Sequence, residues 1–188
     1  MRLIVVGFMF ASTFPMLCPG ERQPASTPPW GAPPTELKMA NFMLGEWTNS
    51  DTVEVAGKKA DITFKLSISK ALGGRYLQVK HVHNMPGEPD VEGMRVEGMH
   101  MLTYDPDKKL WRAWWFIGTD ASVSELSGSF EGDKLVMVSK PFRIPNPPGE
   151  RTIRASWRMT SDRGLNFTLD FKQRDSWVKF IDRTYVKK

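Results

Sequence analysis

Three histidines are the residues of this chain whose type and spacing best suit chemistry: His81, His83 and His100. His81 and His83 stand two apart in a strand-like run, so both rings leave the same face of that strand. His-x-His on one strand, with a third imidazole on its neighbour, is the layout of a β-sheet zinc site. There three imidazoles hold the metal and water takes the open position. Register decides whether the three can meet. A tight turn after residue 84 pairs His83 near residue 92 and leaves His100 on the order of 26 Å away along the strand. A wide loop over 84–95 makes His83 and His100 cross-strand neighbours, and Pro86, Pro89 and Gly93 favour the wide loop. Without a metal these are partly exposed strand histidines, and the sequence implies no cofactor.

Arg112 is the second candidate, because it interrupts the apolar run from Leu110 to Ile117. Pointing inward, it binds an acidic head group in an apolar cavity. Pointing outward, it pairs with a neighbouring carboxylate. Aromatics and methionines of strands 95–118, with Met101 and Trp115 foremost, are the expected lining of such a cavity. Residues 111/113/115 and 112/114/116 face opposite ways. Both faces of this strand are therefore largely apolar, and the outer one needs a cover: the N-terminal segment, a partner subunit or bulky neighbours. Gly-x-Ser-x-Gly, phosphate-cradling glycine loops, calcium loops and Cys-x-x-Cys are absent from the sequence. That removes the common catalytic classes and favours binding over catalysis.

A chain of 188 residues, 40% hydrophobic with seven tryptophans, fits one domain plus appendages and can bury a core without disulfides. The one cysteine, Cys18, lies ahead of the expected domain, so the folded part has no thiol chemistry. The formal charge of +5 is spread singly along strands (Arg151, Arg154, Arg158), which does not build a nucleic-acid face. Met1-Arg2 followed by the apolar run Leu3–Ala11 reads as a signal peptide over 1–18, too short to span a membrane comfortably. No later stretch approaches spanning length. Cys18 before a Pro/Ser/Thr stretch has the layout of a lipoprotein anchor, but Met16-Leu17 lack the small side chains such processing uses. Simple secretion is favoured. Residues 19–34 read as a proline-rich tether and 35–188 as the folded domain.

The elements that must position the candidates follow from periodicity. Thr35 to Leu44 is apolar over a wide arc, with Thr35 as cap and Gly45 as stop, and predicts a short helix or 3₁₀ segment. From Glu46 the period is two. Ile62-Phe64-Leu66-Ile68 alternates with Thr63-Lys65-Ser67-Ser69, and Ile153-Ala155-Trp157-Met159 with Thr152-Arg154-Ser156-Arg158. About ten strands result, at 46–55, 60–71, 75–84, 95–104, 110–118, 122–131, 134–141, 150–160, 165–174 and 176–186. Short turns such as Gly73-Gly74 and Asp105-Pro106-Asp107-Lys108 join them. The fold class is therefore all-β: an antiparallel meander that removes its edges by closing into a barrel, with the helix covering one end. The longer connections 85–94 and 142–149 each follow an upward strand and are expected to rim the same open end.

Several runs together resemble a bacterial family, the domain of unknown function 1579: Phe42-Met43-Leu44-Gly45-Glu46-Trp47, Leu72-Gly73-Gly74-Arg75-Tyr76-Leu77, Val96-Glu97-Gly98, Leu102-Thr103-Tyr104-Asp105, Trp114-Trp115-Phe116 and Leu126-Ser127-Gly128. The resemblance covers residues 36–187. It implies a calycin-like barrel, similar to nitrobindin and the lipocalins, with no established activity. Gly45 and Trp47 then belong to the closed end, where lipocalin-like barrels often stack a basic side chain on the tryptophan. Arg183 is the candidate for that place. Nitrobindin-type barrels hold haem through a histidine near the chain end, and residues 105–188 contain none, so haem held in that manner is not expected. The expected function is an exported barrel that binds a small, mostly apolar molecule. The alternatives are a packed interaction barrel without ligand and a metal-dependent enzyme using His81, His83 and His100.

Overall fold

Residues Thr35–Met43 form a 3₁₀ helix that runs into Gly45, and among the described residues every regular element after it is a strand. The computed structural model describes residues 31–55, 58–85, 93–118, 123–144 and 149–188, of which Pro33–Lys188 make one compact unit. The expected signal peptide, Cys18 and most of the tether lie outside the described residues. Among the described residues, no helix is long and apolar enough to cross a membrane, which says nothing of a barrel that crosses with strands.

The strands are β1 (Gly45–Val55), β2 (Lys58–Ala71), β3 (Tyr76–Met85), β4 (Met94–Asp105), β5 (Leu110–Ile117), β6 (Val123–Glu131), β7 (Lys134–Ser139), β8 (Phe142–Ile144), β9 (Gly149–Arg151), β10 (Ile153–Met159), β11 (Leu165–Gln173) and β12 (Ser176–Lys187). Ten of them close into an antiparallel barrel that follows chain order, with β1 pairing both β2 and β12. The proline-rich connection at 142–149 is not bare loop: β8 and β9 form a two-stranded ribbon in it, outside the barrel order. Strands β3, β5 and β7 run toward one rim, so the connections that follow them leave from the same end.

The alternation seen in the sequence is the barrel wall. Ile62, Phe64, Leu66 and Ile68 of β2 are buried while Asp61, Thr63 and Lys65 are exposed. Burial of these side chains supplies the main stabilisation, about 1.5–3 kcal/mol for each large apolar group. Four tryptophans, Trp47, Trp111, Trp115 and Trp157, are buried in the core. Phe42 of the helix meets Phe130 edge-on at 6.4 Å, and Phe130 meets Trp111 at 5.5 Å, which plugs the helix end.

The helix is 3₁₀ because its buried residues are Leu37, Ala40 and Met43, a spacing of three that a three-residue turn stacks in one line. The expected Thr35 cap is not made. Pro34 occupies the capping position without a side-chain bond, and the Thr35 hydroxyl donates to Glu36 instead. Gly45 leaves the helix at φ +130°, a conformation L side chains rarely adopt, and a Cβ there would lie 2.8 Å from Lys187 Cε. Trp47 is 1% exposed, and its Nε1 donates to Met43 O at 2.7 Å, pinning the helix to β1. The cation over its ring is Lys187, Nζ 5.4 Å from the centroid, not Arg183. Register explains the correction: Lys187 is the residue of β12 opposite Trp47, whereas Arg183 pairs with Phe167 further along the strand and lies over Phe64.

Candidate functional site

The helix end of the barrel is filled with rings, so the free space lies nearer the other end. A cavity of about 100 Å³ is lined by Phe64, Leu66, Trp115, Trp157, Phe167, Leu169 and Ile181, together with the polar His81, His83, His100, Arg183 and Tyr185. His100 and Tyr185 are buried and His83 and Arg183 half-buried, so the polar part of the wall grades toward solvent. The cavity floor is aromatic: Trp157 and Phe167 stand 4.2 Å apart, and Trp115 lies 6.2 Å from Phe167.

All three histidines reach this one cavity. The connection after β3, with Pro86 and Pro89, lies outside the described residues, but β3 and β4 pair out to Met85 and Met94, a register that matches neither expected one. His83 pairs Val96, His81 pairs Gly98 and Val79 pairs His100, so His100 is the diagonal neighbour of His81 rather than the partner of His83. The rings of His81 and His100 are 5.1 Å apart, those of His81 and His83 6.2 Å apart and nearly parallel. His100 lies flat on Trp115, 4.2 Å away with 8° between planes, and His83 leans on Phe64 at 4.9 Å. Among the described residues no three His, Cys, Asp or Glu side chains converge in a way that could hold a metal ion. The imidazoles meet rings rather than a common point.

That environment sets their charge. Burial pushes His81 down to about 4, with a smaller contribution from the neighbouring His83. Burial also holds His100 well below the ordinary imidazole range, reinforced by His81, and lowers His83, reinforced by Arg183. At neutral pH the three are uncharged and can donate or accept one hydrogen bond at each nitrogen.

Sequence reasoning missed the residue that makes room for His81. A Cβ on Gly98 would stand 2.0 Å from His81 Nε2, so the ring occupies the space a side chain would take. A glycine inside a strand, which often marks a close approach of a neighbouring group, was the available signal. Tyr185 was missed as well, although Arg183-x-Tyr185 on the last strand puts both on one face. Arg183 spreads over the Phe64 ring, its Cζ 3.5 Å from the centroid, and both Arg183 and Tyr185 line the cavity. Asn166 Nδ2 donates to the Arg183 carbonyl at 3.2 Å and fixes the backbone there.

Of the other expected lining residues, only Trp115 is in place. Met101 pairs Trp114 on the outer face, between the buried His100 and Leu102, and Gln78 reaches its sulfur at 3.8 Å. It does not line the cavity. Arg112 is on the outer face too, bonded to Glu125 Oε1 at 2.5 Å and stacked over Trp114 at 4.9 Å, with Asp105 at 3.6 Å. Both fall outside because inward residues of β4 are even-numbered and those of β5 odd-numbered, a parity fixed by the pairing of Leu102 with Ala113. Glu125 is held below the usual carboxylate range by Lys140 and then by Arg112. On the outer face of β5, Trp114 is half-buried beneath Arg112 and beside Tyr76 at 6.3 Å, while Phe116 is exposed.

Fold and site together define a closed ten-stranded antiparallel barrel with a small aromatic cavity. The chain belongs to the family described as protein of unknown function (DUF1579), which matches residues 33–187. No curated protein matches it.

Proposed function

We propose that this barrel binds a small, mostly apolar molecule in the cavity between β2, β3, β4, β5, β10, β11 and β12. The observation that carries the reading is the wall itself: packed aromatic rings around free space, with a few convergent polar groups, which is the make-up of ligand pockets. The size narrows the ligand. About 100 Å³ is below the ~300 Å³ at which drug-sized pockets begin, so a molecule of few heavy atoms fits and a long lipid chain does not.

The test is titration of the protein with toluene, followed by aromatic-methyl contacts in NMR. Binding that is abolished by Trp115→Gln while the fold persists supports the reading. No contact at saturating toluene favours the second reading, a packed barrel with an interaction role, for which the same small volume and the four buried tryptophans speak. Export belongs to the proposal as well, supported by the positive start and apolar run of residues 1–11. The mass of the protein recovered from its host tests it: loss of about the first 18 residues fits secretion, and an acyl mass retained on Cys18 fits a lipid anchor.

A further inference from the structure

We propose that the cavity selects a monoanionic acid, a carboxylate on a short aromatic or branched apolar body, and holds its acidic group on the Arg183 guanidinium and the Tyr185 hydroxyl. This rests on the ligand-binding reading above and adds the ligand's class. The first observation is that Arg183 lines the cavity without a carboxylate. The half-exposed Arg112 and Arg154 of the outer wall each have one, Glu125 and Asp170, and the exposed Arg95 has Glu97. Among the described residues no acid stands within 4.0 Å of Arg183. A cation drawn into an apolar wall loses hydration, and an anion of matching geometry offsets that loss.

The second observation is how its donors are disposed. The flat face of the guanidinium rests on Phe64, which leaves the edge N–H groups for hydrogen bonding. The Tyr185 hydroxyl lines the same cavity two residues along β12, on the same face as Arg183, and its proton can be donated to the same anion. A planar carboxylate can take both donors side by side, which is the arrangement Arg favours. The histidines add hydrogen-bonding nitrogens but no charge, since burial keeps them neutral. Of the two cations in the cavity lining, Lys65 is exposed and of outward parity on β2, between the buried Phe64 and Leu66, so Arg183 supplies the one positive charge among the rings and matches a single negative charge. A dianionic phosphate would remain undercompensated there. The apolar body of the ligand would lie against Trp115, Trp157 and Phe167, and the volume sets an upper limit near a single-ring acid.

Benzoate, its neutral isostere benzamide, and toluene are titrated into the full chain, read by NMR and tryptophan fluorescence. Benzoate is expected to bind about tenfold or more tighter than benzamide, as a charge-assisted pair should give. Arg183→Met is expected to erase that difference while toluene binding persists, and Tyr185→Phe to weaken benzoate alone. Equal affinity of the wild-type protein for benzoate and benzamide overturns the inference without need of any variant. So does an Arg183→Met protein that binds benzoate unchanged. If toluene binds and benzoate is not preferred, only this inference falls. If none of the three binds, the ligand-binding reading falls with it.

Discussion

At the scale of single residues, the site is built on a missing side chain. His81 folds over Gly98 so closely that a methyl group there would overlap its Nε2. Gly98→Ala is therefore expected to displace the ring and to destabilise the fold by roughly 1–3 kcal/mol, as overpacking of a filled site does. The double variant Gly98→Ala/His81→Ser should recover much of that loss in a denaturation cycle, and strict additivity of the two changes would sink the explanation. The histidines also predict a pH dependence. An imidazole whose folded pKa is depressed leaves the unfolded chain to take up the proton first, below about 6.5. Stability is then full above that value and falls as pH drops through the window down to about 4 at His81. His81 should lower stability by roughly 1–2 kcal/mol between pH 6.5 and 5, with His100 acting in the same direction, above the range where carboxylates titrate. Urea midpoints of the wild type and of His81→Gln/His100→Gln check this. A slope in that window that is the same in both proteins rules it out.

At the scale of elements, the joint between the 3₁₀ helix and β1 is the best-determined part of the fold. Trp47 is buried, bonded to Met43 O and covered by Lys187, so it ties together the helix, β1 and β12. Trp47→Ala should cost about 3–5 kcal/mol, the range of large-to-small core substitutions. A change under about 1 kcal/mol in guanidinium denaturation would show that the tryptophan is not a core element. Strands and helix were legible because their burial repeats at two and three residues, and the position of Trp47 because Gly45 must stop the helix before it. The face each strand presents was not so legible where both faces are apolar. For β5 the sequence cannot choose between Trp115 inward and Trp114 inward without the register to β4, and the guess for Met101 failed on that parity. Arg183 was assigned to the Trp47 ring and lies over Phe64 instead, because register at the chain end depends on the Leu169/Asp170 irregularity in β11 and β12.

At the scale of the whole molecule, closure was legible in the rhythm of short turns, but the strength of the seam was not. β1 meets β2 over eleven paired residues, whereas β1 meets β12 only at Trp47–Lys187 and Thr48–Val186. Asn49 adds a side-chain bond across the seam, Nδ2 to the Thr184 carbonyl at 3.0 Å, and the Lys188 amide donates to Glu46 O at 3.0 Å. Beyond these the upper half of β1 has no ladder partner on its β12 side among the described residues, and the cavity wall formed by Arg183 and Tyr185 belongs to the strand that closes there. Local opening follows the fewest bonds per residue, so the seam is where the barrel should part first. Native-state hydrogen exchange tests this directly. The amides of β12 that face β1 should exchange faster than those pairing β3 with β4, by a factor of about ten or more, since the loss of two ladder bonds is worth roughly 1–3 kcal/mol. A ligand seated on Arg183 and Tyr185 should slow exchange at the seam selectively, because it binds the closed wall and not the parted one. Uniform protection around the barrel, with no slowing on ligand, would mean that β12 is held as firmly as the central strands and that the cavity has no route open through this side.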